Sequence, residues 1–148
     1  MQYQQVADAE ETTYVVVLDE GDEAVAELTA FARERRLSSA QITAVGAFSS
    51  AVLGWFDRQA KDYRRLPVDE QCEVLSIIGD VALADGEPAV HAHCVVGLSD
   101  GSTRGGHLLE GHVWPTLEVV VRESPARLQK TMRPDVGLAL IDLSRTEA

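Results

Sequence analysis

The segment from Val90 to Val113 constrains the fold more than any other part of the chain, because all four histidines lie in it around a strong turn signal. His91 and His93 form an H-x-H pair before the turn, and His107 follows a glycine pair after it. The turn, Ser99-Asp100-Gly101-Ser102, has a composition typical of a reversal between antiparallel strands. The segment therefore predicts a β-hairpin with histidines on both strands.

These histidines have the arrangement of a metal site. Residues two apart on a strand point to the same face, so His91 and His93 are neighbours, about 7 Å apart at a rise of ~3.3 Å per residue. A third imidazole from the paired strand, His107, would complete a three-histidine site with an open position, a layout typical of catalytic zinc. We therefore predict zinc or another divalent transition metal as the cofactor. His112 differs from His107 in strand parity and is not included among the ligands.

The metal hypothesis sets a condition on the hairpin register. A two-residue turn at Asp100-Gly101 would place Leu108 opposite His93 and direct His107 to the other face of the sheet. One extra residue, in a bulge or a longer loop, brings His107 opposite His93. Gly105-Gly106 is the predicted position of the bulge, because two adjacent glycines otherwise have no clear reason to lie in a strand.

Strand patterns dominate the remaining chain. We predict strands over 12–18, 39–48, 51–57, 63–68, 72–84, 116–122 and 137–143, with a turn at Ser49-Ser50, a break at Trp114-Pro115 and a buried last strand. The main helix is predicted over 23–36, with an apolar stripe formed by Ala24, Val25, Leu28, Phe31 and Ala32, and a short second helix is predicted over 124–132. One main helix among many strands predicts an α+β fold on a mainly antiparallel, twisted sheet. We expect a flexible N-terminus over residues 1–10, a single domain over 11–143 and a C-terminal tail over 144–148.

Composition limits the classes of partner. The formal net charge of −11 opposes the phosphate backbone, so direct nucleic-acid binding through this chain is not expected. The sequence has neither a secretory signal nor an apolar run near the roughly 18 residues of a membrane helix, which predicts a cytoplasmic protein without a membrane partner. Cys72 and Cys94 form no C-x-x-C motif, and we expect both to be reduced, buried thiols.

Other side chains near the hairpin are candidates for proton transfer. Glu110 and Glu118 are the candidate catalytic residues, since a carboxylate beside a metal-bound water can act as a general base. Trp55 and Phe56 could line a pocket, although core packing or a subunit interface is the favoured role for both. An H-x-H-x-D hydrolase would require an aspartate where this chain has Val95, which argues against that class.

Several motifs together resemble one known family. His91-Ala92-His93, Gly105-Gly106-His107-Leu108 and Glu73-Val74-Leu75-Ser76-x-x-Gly79 look like the PPC (plants and prokaryotes conserved) domain in its stand-alone prokaryotic form, and the resemblance covers roughly 14–143. It implies a homotrimer with His91, His93 and His107 as metal ligands. It also implies a fold similar to that of acetolactate decarboxylase, a zinc enzyme. In plants the domain is fused to AT-hook DNA-binding motifs, and this chain has no R-G-R-P core.

These observations support a metal-binding homotrimer with a three-histidine site and a pocket for a small molecule. One alternative is a non-catalytic regulatory or DNA-binding-associated assembly module. Another alternative is a metal-dependent lyase that resembles acetolactate decarboxylase. The sequence leaves open whether the protein is an enzyme.

Overall fold

The structure, a computed structural model, describes residues 1–8 and 11–145. These residues form nine strands, one α-helix and a short 3-10 turn. The elements are β1 (Gln2–Asp8), β2 (Thr12–Asp19), α1 (Ala24–Glu34), β3 (Ser39–Asp57), β4 (Asp62–Val68), β5 (Cys72–Ala84), β6 (Glu87–Gly97), β7 (Thr103–Glu123), β8 (Gln129–Arg133), β9 (Leu138–Ile141) and the 3-10 turn Leu143–Arg145. The predicted α+β class is confirmed: a mainly antiparallel sheet with one α-helix in the described part of the chain.

The sheet bends so that four of its strands close a circuit. Its main order is β1-β2-β7-β3-β5-β8-β9, while β4 pairs with β3, and β6 pairs with both β5 and β7. Every pairing is antiparallel except the short parallel contact between β5 and β8. Because β6 bridges β5 and β7, which also flank β3, the hairpin that carries the histidines is held on both sides.

Helix α1 covers one face of this sheet, where it packs against β6 and β7. The predicted stripe is confirmed in Ala24, Leu28, Phe31 and Ala32, which are buried, while Val25 packs on the core from a half-buried position. The Glu23 carboxylate caps the helix by accepting hydrogen bonds from two backbone N–H groups of the first turn, which an N-terminal turn otherwise leaves unpaired. The helix ends at Glu34, two residues before the predicted end.

Two predicted interruptions are absent, because the strands continue through both places with a shift in register. The turn predicted at Ser49-Ser50 is wrong: β3 runs without a break from Ser39 to Asp57, with a register shift against β7 between Phe48 and Ser50. The break predicted at Trp114-Pro115 is also wrong, since β7 continues through this cis peptide bond. The sheet shifts its register at both places, and a shift of this kind bends a strand without ending it.

The C-terminal part departs most from the prediction. The helix predicted over 124–132 is wrong. The backbone N–H groups of Ser124 and Leu128 donate to the carbonyls of Ser39 and Ser38, at 3.0 and 3.1 Å. These long-range bonds hold the segment extended, and it leads into β8 rather than into a helix. The last strand was predicted to be buried, but in β9 the side chains of Leu140 and Ile141 are 41% and 42% exposed.

Both ends of the chain contain regular structure where a flexible N-terminus and a tail were expected. Gln2–Asp8 pair with β2 as a strand, and Ser144 and Arg145 belong to the 3-10 turn. Residues 9–10 and 146–148 lie outside the described residues, so the domain limits at 11 and 143 stay a prediction. Within the described residues, helix α1 is too short to cross a membrane.

Candidate metal centre

The hairpin of β6 and β7 places His93 directly opposite His107. The extra residue that this register requires lies in the connecting loop, where Leu98 N–H donates to the Ser102 carbonyl at 2.8 Å. Three residues therefore lie between Leu98 and Ser102, and the last of them, Gly101, has a left-handed φ of 80°. The longer loop is confirmed, whereas a bulge at Gly105-Gly106 is wrong, because pairing is uninterrupted between positions 93–97 and 103–107.

The glycine at position 106 has a different role. A Cβ atom there would lie 2.6 Å from the backbone oxygen of Gly54 on β3, which is closer than real Cβ contacts come. At Gly105 the nearest atoms are 3.4 Å away, so a side chain would fit. Gly106 thus allows β3 to approach β7 beside His107, as glycine does where two backbones come close.

The three predicted histidines form one cluster. One ring nitrogen from each of His91, His93 and His107 lies within 4.8 Å of the others, and the ring centroids are 5.2 to 5.6 Å apart. Imidazole nitrogens bind zinc at about 2.0–2.1 Å, so two such bonds span at most ~4.2 Å. Small rotations of the rings are sufficient to direct all three nitrogens at one ion.

The electrostatic surroundings favour the neutral form of His93 and His107, and neutral imidazole is the form that binds metals. Burial, followed by the positive charges of the other two histidines and of Lys130, lowers the pKa of His107 to about 4. Burial and the neighbouring His91 also lower the pKa of His93. The Nδ1 atom of His107 is buried and has no hydrogen-bond partner among the described residues, and the Tyr63 ring stacks on the same imidazole at 4.6 Å. A buried nitrogen without a partner fits a metal ligand, because unpaired buried polar groups are rare.

A carboxylate outside the cluster orients His91. Asp80 lies opposite His91 on β5, and its Oδ2 accepts a hydrogen bond from His91 Nδ1 at 3.1 Å. Lys130 Nζ lies 2.8 Å from the other carboxylate oxygen, and its side chain is only 7% exposed. Partial burial works against ionisation of Asp80, but the bonds from His91 and Lys130 outweigh it and lower the pKa of the carboxyl group. With its proton held on Nδ1, His91 presents the Nε2 lone pair, which is the usual arrangement of a metal-binding histidine.

Sequence reasoning missed Asp80 and Lys130. Asp80 had one signal, the single charge within the otherwise apolar stretch Ile77–Ala84. Lys130 had none, because it was placed in a helix that does not form. Asp80 reaches the site through the local hairpin of β5 and β6, whereas Lys130 reaches it through the pairing of β8 with the distant β5.

A cavity of about 760 Å³ opens beside the cluster. Its walls come from β3, β4, β5, β6, β7, β8 and β9, and the main side chains are Trp55, Phe56, Tyr63, Val90, Lys130, Leu138, Leu140 and Ile141 together with Asp80 and the three histidines. Trp55 and Phe56 were expected in the core or at an interface, and the structure places both in this wall. The wall is mostly apolar, and its polar groups gather around the histidines.

The other candidate residues lie elsewhere. Glu110 forms an ion pair with Arg65, and Glu118 is exposed opposite Val45 on β3. His112, which the sequence excluded from the site, is exposed. None of these three side chains belongs to the wall of the cavity that the described residues form.

Solved structures share this architecture. A "putative DNA binding protein" from Bacteroides thetaiotaomicron is 30% identical, with a TM-score of 0.89 over 97% of this chain and 99% of that one. A metal-containing protein from Archaeoglobus fulgidus is also 30% identical, with a TM-score of 0.82 over 96% and 99% of the two chains. A Staphylococcus aureus protein described as similar to alpha-acetolactate decarboxylase has a TM-score of 0.54 at 14% identity, over 75% of this chain and 52% of that one. The last likeness supports the predicted similarity in fold and nothing further.

Sequence comparison identifies the family. A curated relative, the bifunctional protein GlmU of Synechococcus sp. (strain JA-3-3Ab), is 33% identical over 132 residues, which are 88% of this chain. The match spans only 20% of that relative, so the activities of the larger protein do not follow for this chain. The family model for the Plants and Prokaryotes Conserved domain matches residues 5–125. The chain therefore belongs to the Plants and Prokaryotes Conserved domain family, the PPC family expected from its motifs.

Proposed function

We propose that this protein binds a divalent transition metal, with zinc as the preferred ion, through His91, His93 and His107. The observation that carries the proposal is the convergence of three imidazoles, one of which has a buried nitrogen without a partner. An all-nitrogen set suits zinc and its neighbours in the first transition row better than magnesium or calcium, which prefer oxygen ligands. The metal-containing description of the Archaeoglobus fulgidus relative supports the same assignment.

Neighbouring residues would orient and cover the ligands of such an ion. Asp80 fixes the tautomer of His91, and Tyr63 covers one face of His107. A bound zinc ion would supply Lewis-acid chemistry to a small molecule in the cavity. For any turnover, Glu110 and Glu118 stay the proposed proton-transfer residues. Since neither lines the cavity, Glu110→Gln and Glu118→Gln should leave the metal content unchanged.

Elemental analysis of protein purified without a histidine tag tests the proposal directly. We expect about one zinc or similar ion per chain, in accord with the one histidine cluster that the described residues form. His91→Ala and His107→Ala should lose it, and His112→Ala is the matched control, because this histidine is exposed and lies outside the cluster. A metal-free wild-type protein after incubation with zinc, or full binding by both cluster variants, would exclude the site.

We also propose that the chain assembles as a homotrimer, as the family resemblance implies. Two exposed apolar side chains on the sheet face of His93 support assembly, since paired positions share a face. Ile78 pairs with His93, and Thr43 links Ile78 to Val120. Ile78 and Val120 are 62% and 40% exposed, and exposed apolar patches mark interaction sites. Light scattering should give three times the chain mass of 16.1 kDa, and a monomeric mass would contradict the proposal.

DNA binding is the second candidate, on the strength of the description that the Bacteroides thetaiotaomicron relative carries. The charge of −11 opposes it, because cationic contacts to phosphates supply most non-specific affinity. We therefore expect no shift of a DNA duplex in a gel at physiological salt. A shift that weakens steeply as salt rises would favour DNA binding over metal binding as the function.

A further inference from the structure

The cavity beside the histidines has two chemically different parts, and this difference indicates what it binds. The three histidines with Asp80 and Lys130 form its polar end. The rest of the wall is mostly apolar, with Trp55 on β3 and Leu138–Ile141 on β9. Strand β9 leads away from the polar end, because Ile141 pairs with Lys130 and Leu138 with Arg133. A ligand that matches both parts has one polar group and an apolar body.

The polar end favours a negative charge. Asp80 is the only acidic side chain among the residues that line the cavity, and the ammonium group of Lys130, 2.8 Å away, balances it. The divalent ion proposed above would add two positive charges to three uncharged imidazoles. The end of the cavity near the histidines is then positive within a chain of net charge −11, and an anion is electrostatically complementary to it.

The same residues indicate how many charges the anion carries. Recognition of a phosphate usually uses arginine side chains or a row of backbone N–H groups at a helix start. Among the described residues no arginine lines the wall. Arg64, whose guanidinium lies 5.3 Å from the Trp55 ring, pairs with Asp57, and Lys130 is already committed to Asp80. A single carboxylate therefore suits this end better than a phosphate.

The apolar end lacks a cover in the isolated chain. Leu140, Ile141 and Trp55 are 41%, 42% and 55% exposed, although they line the same cavity as the histidines. Covering apolar area of this kind contributes about 25 cal/mol per Å². A ligand with an apolar body would gain this contribution while its charged end remains at the histidines.

We propose that the cavity binds monocarboxylic acids with an apolar body, such as medium-chain fatty acids, with the carboxylate at the histidine end and the body along β9. The inference rests on the proposed metal site for its positive charge. It adds the chemical class of the ligand and the strand that selects it.

Calorimetric titration of the zinc-loaded full chain tests the ligand class, with the zinc content measured on the same sample. Octanoate should bind, and about tenfold more tightly than hexanoate, because each buried methylene contributes ~0.8 kcal/mol, or up to roughly fourfold in affinity. Octylamine and octyl phosphate should bind at least tenfold more weakly than octanoate. Equal binding of octanoate and octylamine, or no gain with chain length, would overturn the inference.

Variants of the apolar wall test the role of β9. Ile141→Asn, an uncharged change beside Lys130, should weaken octanoate binding at least tenfold and leave the zinc content unchanged. Met132→Asn is the matched control on β8, since this side chain is 61% exposed and does not line the cavity; its affinity should equal that of the wild type. If Ile141→Asn fails to fold by circular dichroism, Leu140→Ser replaces it. Unchanged octanoate affinity in the folded variant would overturn the inference, as would a change in oligomeric mass that shows β9 to be covered by a second copy.

The two proposals fail in distinguishable ways. A chain that takes up no zinc would overturn the metal site and this inference with it. A chain that binds zinc stoichiometrically but does not prefer octanoate would overturn the carboxylate inference alone.

Discussion

Replacement of Asp80 by asparagine should weaken metal binding without removing any ligand. Asp80 accepts a hydrogen bond from His91 Nδ1 at 3.1 Å and lies 2.8 Å from Lys130 Nζ, so its two oxygens serve two donors. An asparagine has nearly the same shape but only one acceptor oxygen, and its NH₂ group would face one of the donors. The variant therefore leaves either His91 or Lys130 without its partner.

Both outcomes lower the affinity for zinc. If His91 loses its acceptor, the proton is no longer fixed on Nδ1 and the imidazole becomes a weaker base, and changes of this kind typically cost ten- to a hundred-fold in metal affinity. If Lys130 loses its partner, a nearly buried ammonium group (7% exposed) stays uncompensated and adds its charge near the metal. An unpaired buried charged group also lowers the free energy of unfolding, by about 1–3 kcal/mol. For Asp80→Asn we expect the free energy of unfolding to fall by about 1 kcal/mol, the lower end of this range, because Asp80 itself is partly exposed.

The assay is competition for zinc between the protein and a chromophoric chelator at pH 7.5, with thermal unfolding of the metal-free protein alongside. Asp57→Asn is the matched control. Asp57 has the same side-chain exposure of 31% and, like Asp80, pairs with a basic side chain, here Arg64, but it does not line the cavity. We expect a drop of ten- to a hundred-fold for Asp80→Asn and less than twofold for Asp57→Asn. Wild-type affinity in a correctly folded Asp80→Asn protein would refute the argument that the carboxylate orients His91.

Three further predictions follow from the geometry. Folding lowers the pKa of His107 from 6.5 to about 4, so between these pH values the unfolded chain binds more protons than the folded one. The metal-free protein should therefore lose stability as pH falls through this window. In denaturant titrations at pH 7 and pH 5, His107→Gln should make this loss smaller. Gly106→Ala should lower the free energy of unfolding by about 1–3 kcal/mol and reduce zinc uptake, because its Cβ would lie 2.6 Å from the Gly54 oxygen. Gly105→Ala, where the nearest atoms are 3.4 Å away, should change both quantities little. Equal effects of the two substitutions would contradict this account. Glu23→Ala should lower the free energy of unfolding in urea by about 2 kcal/mol, because Glu23 accepts hydrogen bonds from the backbone N–H groups of Val25, Ala26 and Gly111. Glu20→Ala, at an exposed position, is the control. A similar loss in the control would argue against a capping role for Glu23.

The histidine cluster was predictable because its geometry is almost entirely local. The alternation of strand side chains places His91 and His93 on one face, and one short loop sets the position of His107. The register argument required one extra residue between the strands, in a bulge or a longer loop; the longer loop is confirmed and the bulge at Gly105-Gly106 is wrong. Gly101, with its φ of 80°, provides the extra residue in the loop, where a left-handed residue costs least.

The support of the cluster was predictable only in part. Asp80 faces His91 across the local hairpin of β5 and β6, eleven residues away, and the sequence reasoning did not follow that register. Lys130 reaches Asp80 through the pairing of β8 with β5, which joins distant segments and follows the bonds of Ser124 and Leu128 to Ser39 and Ser38. Ser124 and Pro125 are good signals for a helix start, but long-range backbone bonds outweigh such local preferences.

The misjudged last strand has a physical explanation that bears on function. A continuous apolar run such as Leu138–Ile141 predicts burial, because apolar side chains gain free energy by leaving water. In β9 that gain is incomplete, and Leu138–Ile141 line the cavity beside the histidine cluster. The three histidines lie within residues 5–125, which the family model matches, while Lys130 and β9 lie beyond them. On the two proposals, the metal ligands and the strand that selects the acid belong to separate parts of the chain, so substitutions in β9 should change which acid binds without changing how much zinc the protein holds.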